Sequence, residues 1–207
     1  MNRKTTVIRR QMTARPLFWA AVLMCGMLVC HVTGTAAAAD WPTYRCDPGR
    51  SAVSGESLRD DLTLQWTYSP SQPPKPAWPP PMEEIPRMHS DNAFHVAMAD
   101  GRVFFGSSVT DEIWAIDVAS GQVCWRFSTD GPVRFAPTVS QGRVYAGSDD
   151  GYVYCLRAAN GSLLWRYRPG PSDEKVLGNG RMISLWPVRT SVLVDDGVVY
   201  CGAGVFP

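Results

Sequence analysis

The sequence lacks an excess of charge of either sign. It contains 20 Lys and Arg against 19 Asp and Glu, and no run of basic residues occurs after residue 40. Proteins that bind nucleic acid or an anionic membrane surface concentrate Lys and Arg on one face or in one segment. The composition therefore argues against both classes, and we expect no nucleic-acid partner.

Cysteines with metal-ligand spacing are also missing. After residue 40 the chain contains Cys46, Cys124, Cys155 and Cys201, whose separations match no zinc-binding pattern. The last three lie within apolar, strand-like segments, where a free cysteine is usually a small packing residue. We interpret these three as packed thiols and expect no metal site, although an oxidising compartment would permit disulfides.

An apolar run long enough to span a membrane is absent as well. The most apolar stretch, residues 17–32, is shorter than the roughly 20 residues of a transmembrane helix. It follows a basic start and precedes a small-residue site ending at Ala39, an order typical of a secretory signal peptide. We predict cleavage after Ala39, export to the periplasm or the extracellular space, and no stable membrane span after cleavage. A retained anchor is the alternative.

Helical periodicity is lacking after the leader, and an internal repeat is present instead. Gly101 of the first copy aligns with Gly142 of the second, and further along Trp125 aligns with Trp165. The second spacing is one position shorter than the first, because a turn has lost a residue. A third copy begins around Gly197, after a longer connection.

Each copy is predicted to form four short β-strands. In the second copy these cover residues 135–140, 143–148, 152–157 and 162–167, which are rich in aromatic and branched side chains. Dipeptides such as Gln-Gly and Asn-Gly supply the positive φ angles that tight hairpins need. Four antiparallel strands repeating about every 40 residues are typical of a propeller blade. We predict an all-β fold, a β-propeller of four-stranded antiparallel blades with an incomplete ring.

A tryptophan motif at the end of each copy narrows the choice among propellers. In the first copy its residues are Ala115, Asp117, Gly121 and Trp125. The spacing resembles the tryptophan-docking motif of the pyrroloquinoline quinone (PQQ) repeat family, whereas the Gly-His and Trp-Asp marks of WD repeats are missing. The second copy keeps Gly161 and Trp165, with Cys155 and Arg157 in place of the small residue and the acid. The resemblance implies that these residues are structural and dock one blade on the next.

The N-terminal region also resembles that family, in residues 40–45 and 62–68. Together with the repeat, this divides the chain into seven segments. Residues 40–68 would form an N-terminal segment with a latch strand of the last blade, and Trp66 would be the docking tryptophan of that blade. A propeller ring needs about four to eight blades, so we expect the chain to be a fragment of a longer protein. The other segments are the signal peptide (1–39), a proline-rich loop (69–91), blade 1 (92–128), blade 2 (129–168), an inserted loop (169–188) and the truncated start of blade 3 (189–207).

The family resemblance leaves two functions open. The same repeats build quinoprotein dehydrogenases and non-enzymatic, BamB-like assembly factors, so the fold does not choose between them. A dehydrogenase would imply PQQ and calcium as cofactors, and such enzymes typically hold the quinone with adjacent cysteines, which this sequence lacks. We therefore favour a binding or scaffolding module for a protein or polymer, without an assigned cofactor or catalytic residue. The N-terminal part of a PQQ-dependent alcohol or sugar dehydrogenase is the alternative.

The connections at one end of the blades hold the candidate binding residues. Strand alternation brings residues 69–91, 107–112, 128–134, 149–151 and 168–189 to this end, called the top face below. The inserted loop mixes flexible glycine with arginine, an aromatic and an amide, as ligand-facing loops do. We interpret Asp149 and Asp150 as hairpin turn residues. The candidate ligand-binding residues are Asn179, Arg181, Trp186, Arg189, Arg134 and His95.

Overall fold

The structure is a computed structural model that describes residues 7–8, 39–58, 60–77, 91–178 and 181–204. These residues form β-strands, turns and extended segments, and none of them is helical. Within this part of the chain, accordingly, no helix has the length and apolar character needed to cross a bilayer. The predicted all-β class is confirmed.

The first sheet is a four-stranded antiparallel meander. Its strands are β2 (Val96–Ala99), β3 (Arg102–Ser107), β4 (Glu112–Asp117) and β5 (Val123–Ser128), hydrogen-bonded in chain order. Asp100 and Gly101 both have positive φ and make the tight turn between the first two strands, as the Asp-Gly pair predicts. The sheet matches one predicted blade.

The second sheet repeats the first. It consists of β6 (Thr138–Ser140), β7 (Arg143–Gly147), β8 (Val153–Arg157) and β9 (Leu163–Tyr167), again in chain order. A register shift falls after Ala115 in the first sheet and after Cys155 in the second, at corresponding positions. The first strand begins at Thr138 and not at residue 135. Pro137 has no N–H to give to a ladder, which shortens this strand.

The remaining strands form a hairpin and a partial third sheet. The predicted inserted loop contains the hairpin of β10 (Lys175–Gly178) and β11 (Arg181–Ser184). The third sheet pairs β12 (Leu193–Asp195) with β13 (Val198–Tyr200), and β1 (Val7–Ile8) lies beside β13. The described sheets do not close a ring. Cleavage of the signal peptide after Ala39 stays a prediction.

Two apolar clusters fill the spaces between neighbouring sheets. The larger cluster joins the first two sheets and includes Phe104, Ile113, Val144 and Leu156, all fully buried. The smaller cluster lies between the second and third sheets, around Tyr145, Val153 and Val192. Burial of each side chain of this size contributes about 1.5–3 kcal/mol. The core is thus a series of contacts between sheets that face one another, as in a propeller.

The cysteines only partly follow the sequence-based expectation. Cys46, Cys124, Cys155 and Cys201 are all free thiols. Cys155 is buried between the second and third sheets, and this burial raises its pKa to about 11. Cys124, by contrast, is exposed, because β5 is the outermost strand of its sheet. The interpretation of Cys124 as a packed thiol was wrong.

A short N-terminal stretch joins the first strands of the first two sheets. Trp41 and Met98 exchange two backbone hydrogen bonds of 2.8 Å, and the Val139 N–H donates to Pro42 O over 2.7 Å. The hydroxyls of Thr43 and Thr138 lie 2.7 Å apart, and Thr138 donates onward to a backbone carbonyl before β12. Residues 41–43 therefore cross the inner edges of the first two sheets, and Thr138 extends these hydrogen bonds to the segment before β12.

Candidate functional site

Trp125 packs between the first and second sheets. Its side chain is 8% exposed, and its indole Nε1 donates to the backbone oxygen of Ala158 over 2.9 Å. Beneath it lies Gly161, where a Cβ atom would stand 2.6 Å from the indole ring. Ala115 is fully buried and pairs with Trp125 across the ladder, so that a small residue makes room for the ring. The motif residues therefore form one contact between sheets.

Trp66 makes the same contact one repeat earlier. Its Nε1 donates to the backbone oxygen of Val118 over 2.7 Å, and a Cβ on Gly121 would lie 2.7 Å from the ring. Asp117 fixes this turn by accepting hydrogen bonds from the backbone and hydroxyl of Ser120, which lower the pKa of Asp117. Trp66 thus sits on the first sheet as Trp125 sits on the second.

Trp165 occupies the matching position at the far side of the second sheet. It pairs with Cys155 across the ladder, and its ring centroid lies 5.9 Å from that of Tyr145. Its side chain is only half-buried, in contrast with Trp125. The third sheet described here contributes partly buried residues around it but no glycine equivalent to Gly161.

Arg134 and Arg189 converge on one buried carboxylate at the top face. Asp149 is 1% exposed, and its Oδ2 lies 2.7 Å from Nη2 of Arg134. The Nε of Arg189 approaches the other carboxylate oxygen of Asp149 to 3.1 Å. A buried carboxylate of this kind is stable only when it is paired and hydrogen-bonded, as Asp149 is. These two candidate residues therefore serve an internal salt bridge.

A second carboxylate extends this network to the proline-rich segment. Nη1 of Arg134 lies 3.4 Å from Oδ2 of Asp91, which is also buried. The same oxygen accepts a hydrogen bond of 2.7 Å from the backbone N–H of Ala77. Ser108, in the turn between β3 and β4, donates to the carbonyl of Lys75 over 2.7 Å. The described part of the proline-rich segment is thus attached to the first sheet.

Asp149 and Asp150 both lie in the turn between β7 and β8, as expected, and Asp149 has a second role in the arginine pairs described above. The Asp150 carboxylate accepts hydrogen bonds from the Tyr152 backbone and the Tyr154 hydroxyl, at 2.9 and 2.6 Å. Burial raises the pKa of Asp150 and, more strongly, that of Tyr154. For Asp149 the interpretation as a turn residue missed its two arginine partners.

The repeat itself could have revealed these partners. Arg134 and Arg189 are separated along the chain by the same interval as Gly142 and Gly197, the turn glycines of the second and third copies. The two arginines therefore occupy equivalent positions in successive copies, and equivalent positions lie at the same end of neighbouring blades. A search for charged residues that recur with the repeat would have placed both at one site.

Arg181 anchors the inserted hairpin to the first sheet. Its Nη1 lies 2.6 Å from Oδ1 of Asp111 and donates to the carbonyl oxygen of Ser108 over 3.3 Å. Its Nη2 donates to the carbonyl oxygen of Val109 over 3.2 Å. Burial raises the pKa of Asp111, although the charge of Arg181 opposes this. Arg181 is therefore engaged within the protein, like Arg134 and Arg189.

The other candidate residues lie apart from one another. Trp186 packs on Gly170 inside its own insertion, and its Nε1 donates to the hydroxyl of Ser172 over 3.2 Å. The His95 ring lies 6.0 Å from that of Phe135, in a stacked arrangement. Asn179 lies outside the described residues. The structure thus brings Arg134 and Arg189 together and places Arg181, Trp186 and His95 in separate surroundings.

The family of the protein follows from its sequence match. Residues 59–203 match the repeat family described as "Outer membrane protein assembly factor BamB". The chain belongs to the PQQ-like repeat family of β-propellers. This agrees with the docking motif and confirms the predicted resemblance.

Relatives of this PQQ-like repeat chain have different stated roles. It is 26% identical over 133 residues to a polyvinylalcohol dehydrogenase from Sphingopyxis sp. (strain 113P3), covering 54% of this chain and 20% of that protein. It is 29% identical over 101 residues to the assembly factor BamB of Taylorella asinigenitalis (strain MCE3), covering 47% of this chain and 24% of BamB. The chain therefore matches at most a quarter of either relative.

A solved structure supports the same fold. The quinohemoprotein alcohol dehydrogenase from Comamonas testosteroni aligns with a TM-score of 0.56 and 20% identity, over 80% of this chain and 23% of that chain. At this identity the likeness concerns the propeller architecture and leaves the chemistry open.

The described residues of this PQQ-like repeat chain do not by themselves fit PQQ or calcium. Arg134, Arg181 and Arg189, the cations expected to face a ligand, are all bonded to internal carboxylates. No group of three or more His, Cys, Asp or Glu in the described part is placed to hold a metal ion. Calcium prefers six to eight oxygen ligands, roughly, which this set does not supply.

Proposed function

We propose that this chain is part of an exported propeller that binds or scaffolds a protein or a polymer through its top face. The observation that carries the proposal is that Arg134, Arg181 and Arg189 are paired with carboxylates of the protein, while apolar side chains of the inserted hairpin stand exposed at the same face. Leu177 and Met182 of the inserted hairpin are 74% and 56% exposed. Exposed apolar residues on a fixed insertion are typical of an interaction surface.

The attachment of the top face supports this role. Arg181 connects the hairpin to the first sheet, and Asp149 connects the second sheet to the segment before β12. A surface fixed in advance loses little conformational entropy on binding, which favours a recognition role. The similarity to an assembly factor is in line with it, and the signal-like leader supports action outside the cytoplasm.

The N-terminal part of a PQQ-dependent dehydrogenase remains the second candidate. The match to a polyvinylalcohol dehydrogenase favours it. The purified 207-residue chain can be titrated with PQQ and calcium and then supplied with an alcohol and a reducible dye. We expect neither tight quinone binding nor dye reduction, because the described sheets do not surround a central cofactor. Quinone binding at micromolar affinity with dye reduction would favour the dehydrogenase.

Cross-linking in cells tests the binding role. A photoreactive amino acid is placed at Asp130, exposed at the top face, or at Gln141, exposed in the turn between β6 and β7 at the opposite end. We expect covalent adducts from position 130 and none from position 141. Equal adduct formation from both positions, or none from the top face, would contradict the proposal.

A further inference from the structure

The inserted hairpin is held at both of its ends. Near its tip, Arg181 bonds to Asp111 and to two carbonyl oxygens of the first sheet. At its base, the N–H of Ser184 donates to Asp149 O over 2.9 Å, and that of Leu185 donates to Glu174 O over 2.8 Å. The hairpin therefore presents a fixed surface and not a free loop.

One edge of this hairpin is open. The bond from Leu185 to Glu174 makes that pair a hydrogen-bonded pair, and such pairs alternate along an antiparallel ladder. Lys175 and Leu177 therefore belong to non-bonded pairs, and their N–H and C=O groups point away from β11. Among the described residues, no other group bonds to the backbone of either one. Strand β10 thus offers unpaired backbone groups to another strand.

The side chains of the hairpin divide into an inner and an outer face. Ile183 is 3% exposed, so its face of β11 lies against the protein, although its partner Val176 on β10 is 36% exposed. Leu177 and Met182 pair with each other on the opposite face and are both exposed. Side chains alternate along a strand, so Lys175 lies on the same outer face as Leu177. The outer face of β10 therefore carries the cation of Lys175 next to the aliphatic side chain of Leu177.

The charge of this face is positive. Lys175 is exposed and has no ion-pair partner within the described part of the chain. Glu174 lies on the other face by strand alternation, and its carboxylate accepts a hydrogen bond from Ser172. The charge of Arg181 is balanced by Asp111. A carboxylate on a partner strand, placed opposite Lys175, would therefore complement the positive charge of this face.

We propose that β10 receives an extended segment of another protein, with alternating apolar and acidic side chains, as an added strand. This rests on the proposed binding role of the top face and names its site and partner class. Strand addition satisfies the open backbone groups, and side-chain pockets then select the sequence. A neutral polymer would leave Lys175 unpaired, and a second copy of the chain would bring two Lys175 cations into one short ribbon.

Hydrogen exchange measured by NMR tests the proposal on the whole chain. The probe is a short capped peptide of alternating valine and aspartate, and the control is the same peptide with lysine in place of aspartate. We expect the first peptide to slow exchange of the Lys175 and Leu177 amides and to bind at least about tenfold more tightly than the second. Equal binding of both peptides, or protection by poly(vinyl alcohol) alone, would overturn the proposal.

Matched variants separate backbone from side-chain recognition. Leu177→Pro removes an outward N–H and should weaken binding about tenfold, whereas Leu177→Thr keeps it and should weaken binding less. Lys175→Gln should weaken binding about two- to fivefold, and Arg157→Gln, exposed elsewhere, should not change it. Unchanged binding by Leu177→Pro or by Lys175→Gln would overturn strand addition at β10.

The two proposals can fail separately. If the peptide fails to protect β10 while position 130 still forms adducts in cells, the strand proposal is overturned and the binding role stands. If neither result is obtained, both are overturned.

Discussion

The two ends of the first and second sheets are held together by different contacts. One end is the top face, and the other, called the lower end here, contains the turns that carry Gly121 and Gly161. At the lower end, Trp66 and Trp125 make one contact twice, each with a glycine and a backbone carbonyl of the next sheet. At the top face, the contacts of Asp149 and Arg181 each occur once. The tryptophan contacts recur with the repeat and serve the stacking of blades, whereas the contact of Arg181 fixes an insertion that the blade does not need. Arg134 and Arg189 also recur, but they share the single carboxylate of Asp149. We therefore assign the stacking of blades to the lower end and keep recognition by the inserted hairpin as our proposal for the top face, where the buried Asp149 pairs also add stability.

Removal of a docking tryptophan should have the largest effect. Trp125→Ala deletes a buried ring and a hydrogen bond, and should lower the free energy of unfolding by about 3–5 kcal/mol. Trp165→Ala should cost less, because that side chain is half-buried. Urea denaturation of both variants measures the difference. A smaller loss for Trp125→Ala than for Trp165→Ala would break the comparison.

Removal of the shared carboxylate should have a comparable but smaller effect. Asp149→Asn takes the charge from between Arg134 and Arg189, and breaking a buried ion pair costs about 3–5 kcal/mol as an upper figure. Arg134 keeps Asp91 as a partner. Asn retains the shape and one acceptor, so we expect the free energy of unfolding to fall by about 3 kcal/mol. Asp196→Asn, in an exposed turn, is the control and should leave stability unchanged. Equal unfolding curves for both variants would show that the network is dispensable.

The glycine below each tryptophan can be tested with a matched pair. Gly161 and Gly142 have nearly the same φ, +71° and +69°, but only at Gly161 would a Cβ meet a tryptophan. Gly142→Ala should cost only the strain of positive φ, about 1–2 kcal/mol. Gly161→Ala should cost about 1–3 kcal/mol more, because the added methyl group displaces Trp125. Equal thermal stability of the two variants would argue against docking.

A pH dependence of opposite sign at two aspartates should give the smallest effect. Burial raises the pKa of Asp150 above 3.8, so the folded state binds the proton of this carboxyl more tightly than the unfolded state. The contribution of Asp150 to stability therefore falls as pH rises from 3.8 through the raised pKa. Hydrogen bonds from Ser120 lower the pKa of Asp117, so its contribution is lost as pH falls below 3.8. Comparison with Asp150→Asn and Asp117→Asn between acidic and neutral pH measures both slopes. Slopes of the same sign would contradict these assignments.

The repeat could be predicted from the sequence because its signals are local. Glycine turns such as Asp100-Gly101 and the spacing of Trp125 each specify structure within one blade. The top face was harder, because its partners are distant in the chain. Arg181 meets Asp111 across 70 residues, and nothing in the local sequence of either indicates the other. Asp149 looked like a turn residue because it is in a turn, and its charge partners come from two other connections.

The division between a stabilising lower end and a binding top face is tested most directly by two variants compared in two assays. Leu177→Asp and Gly161→Ala are each combined with the photoreactive residue at position 130, and thermal stability and adduct yield in cells are measured. We predict that Leu177→Asp reduces adduct formation without changing the melting temperature, and that Gly161→Ala lowers the melting temperature while the folded protein still forms adducts. If both variants lowered stability and adduct yield together, the two ends would not have separate roles.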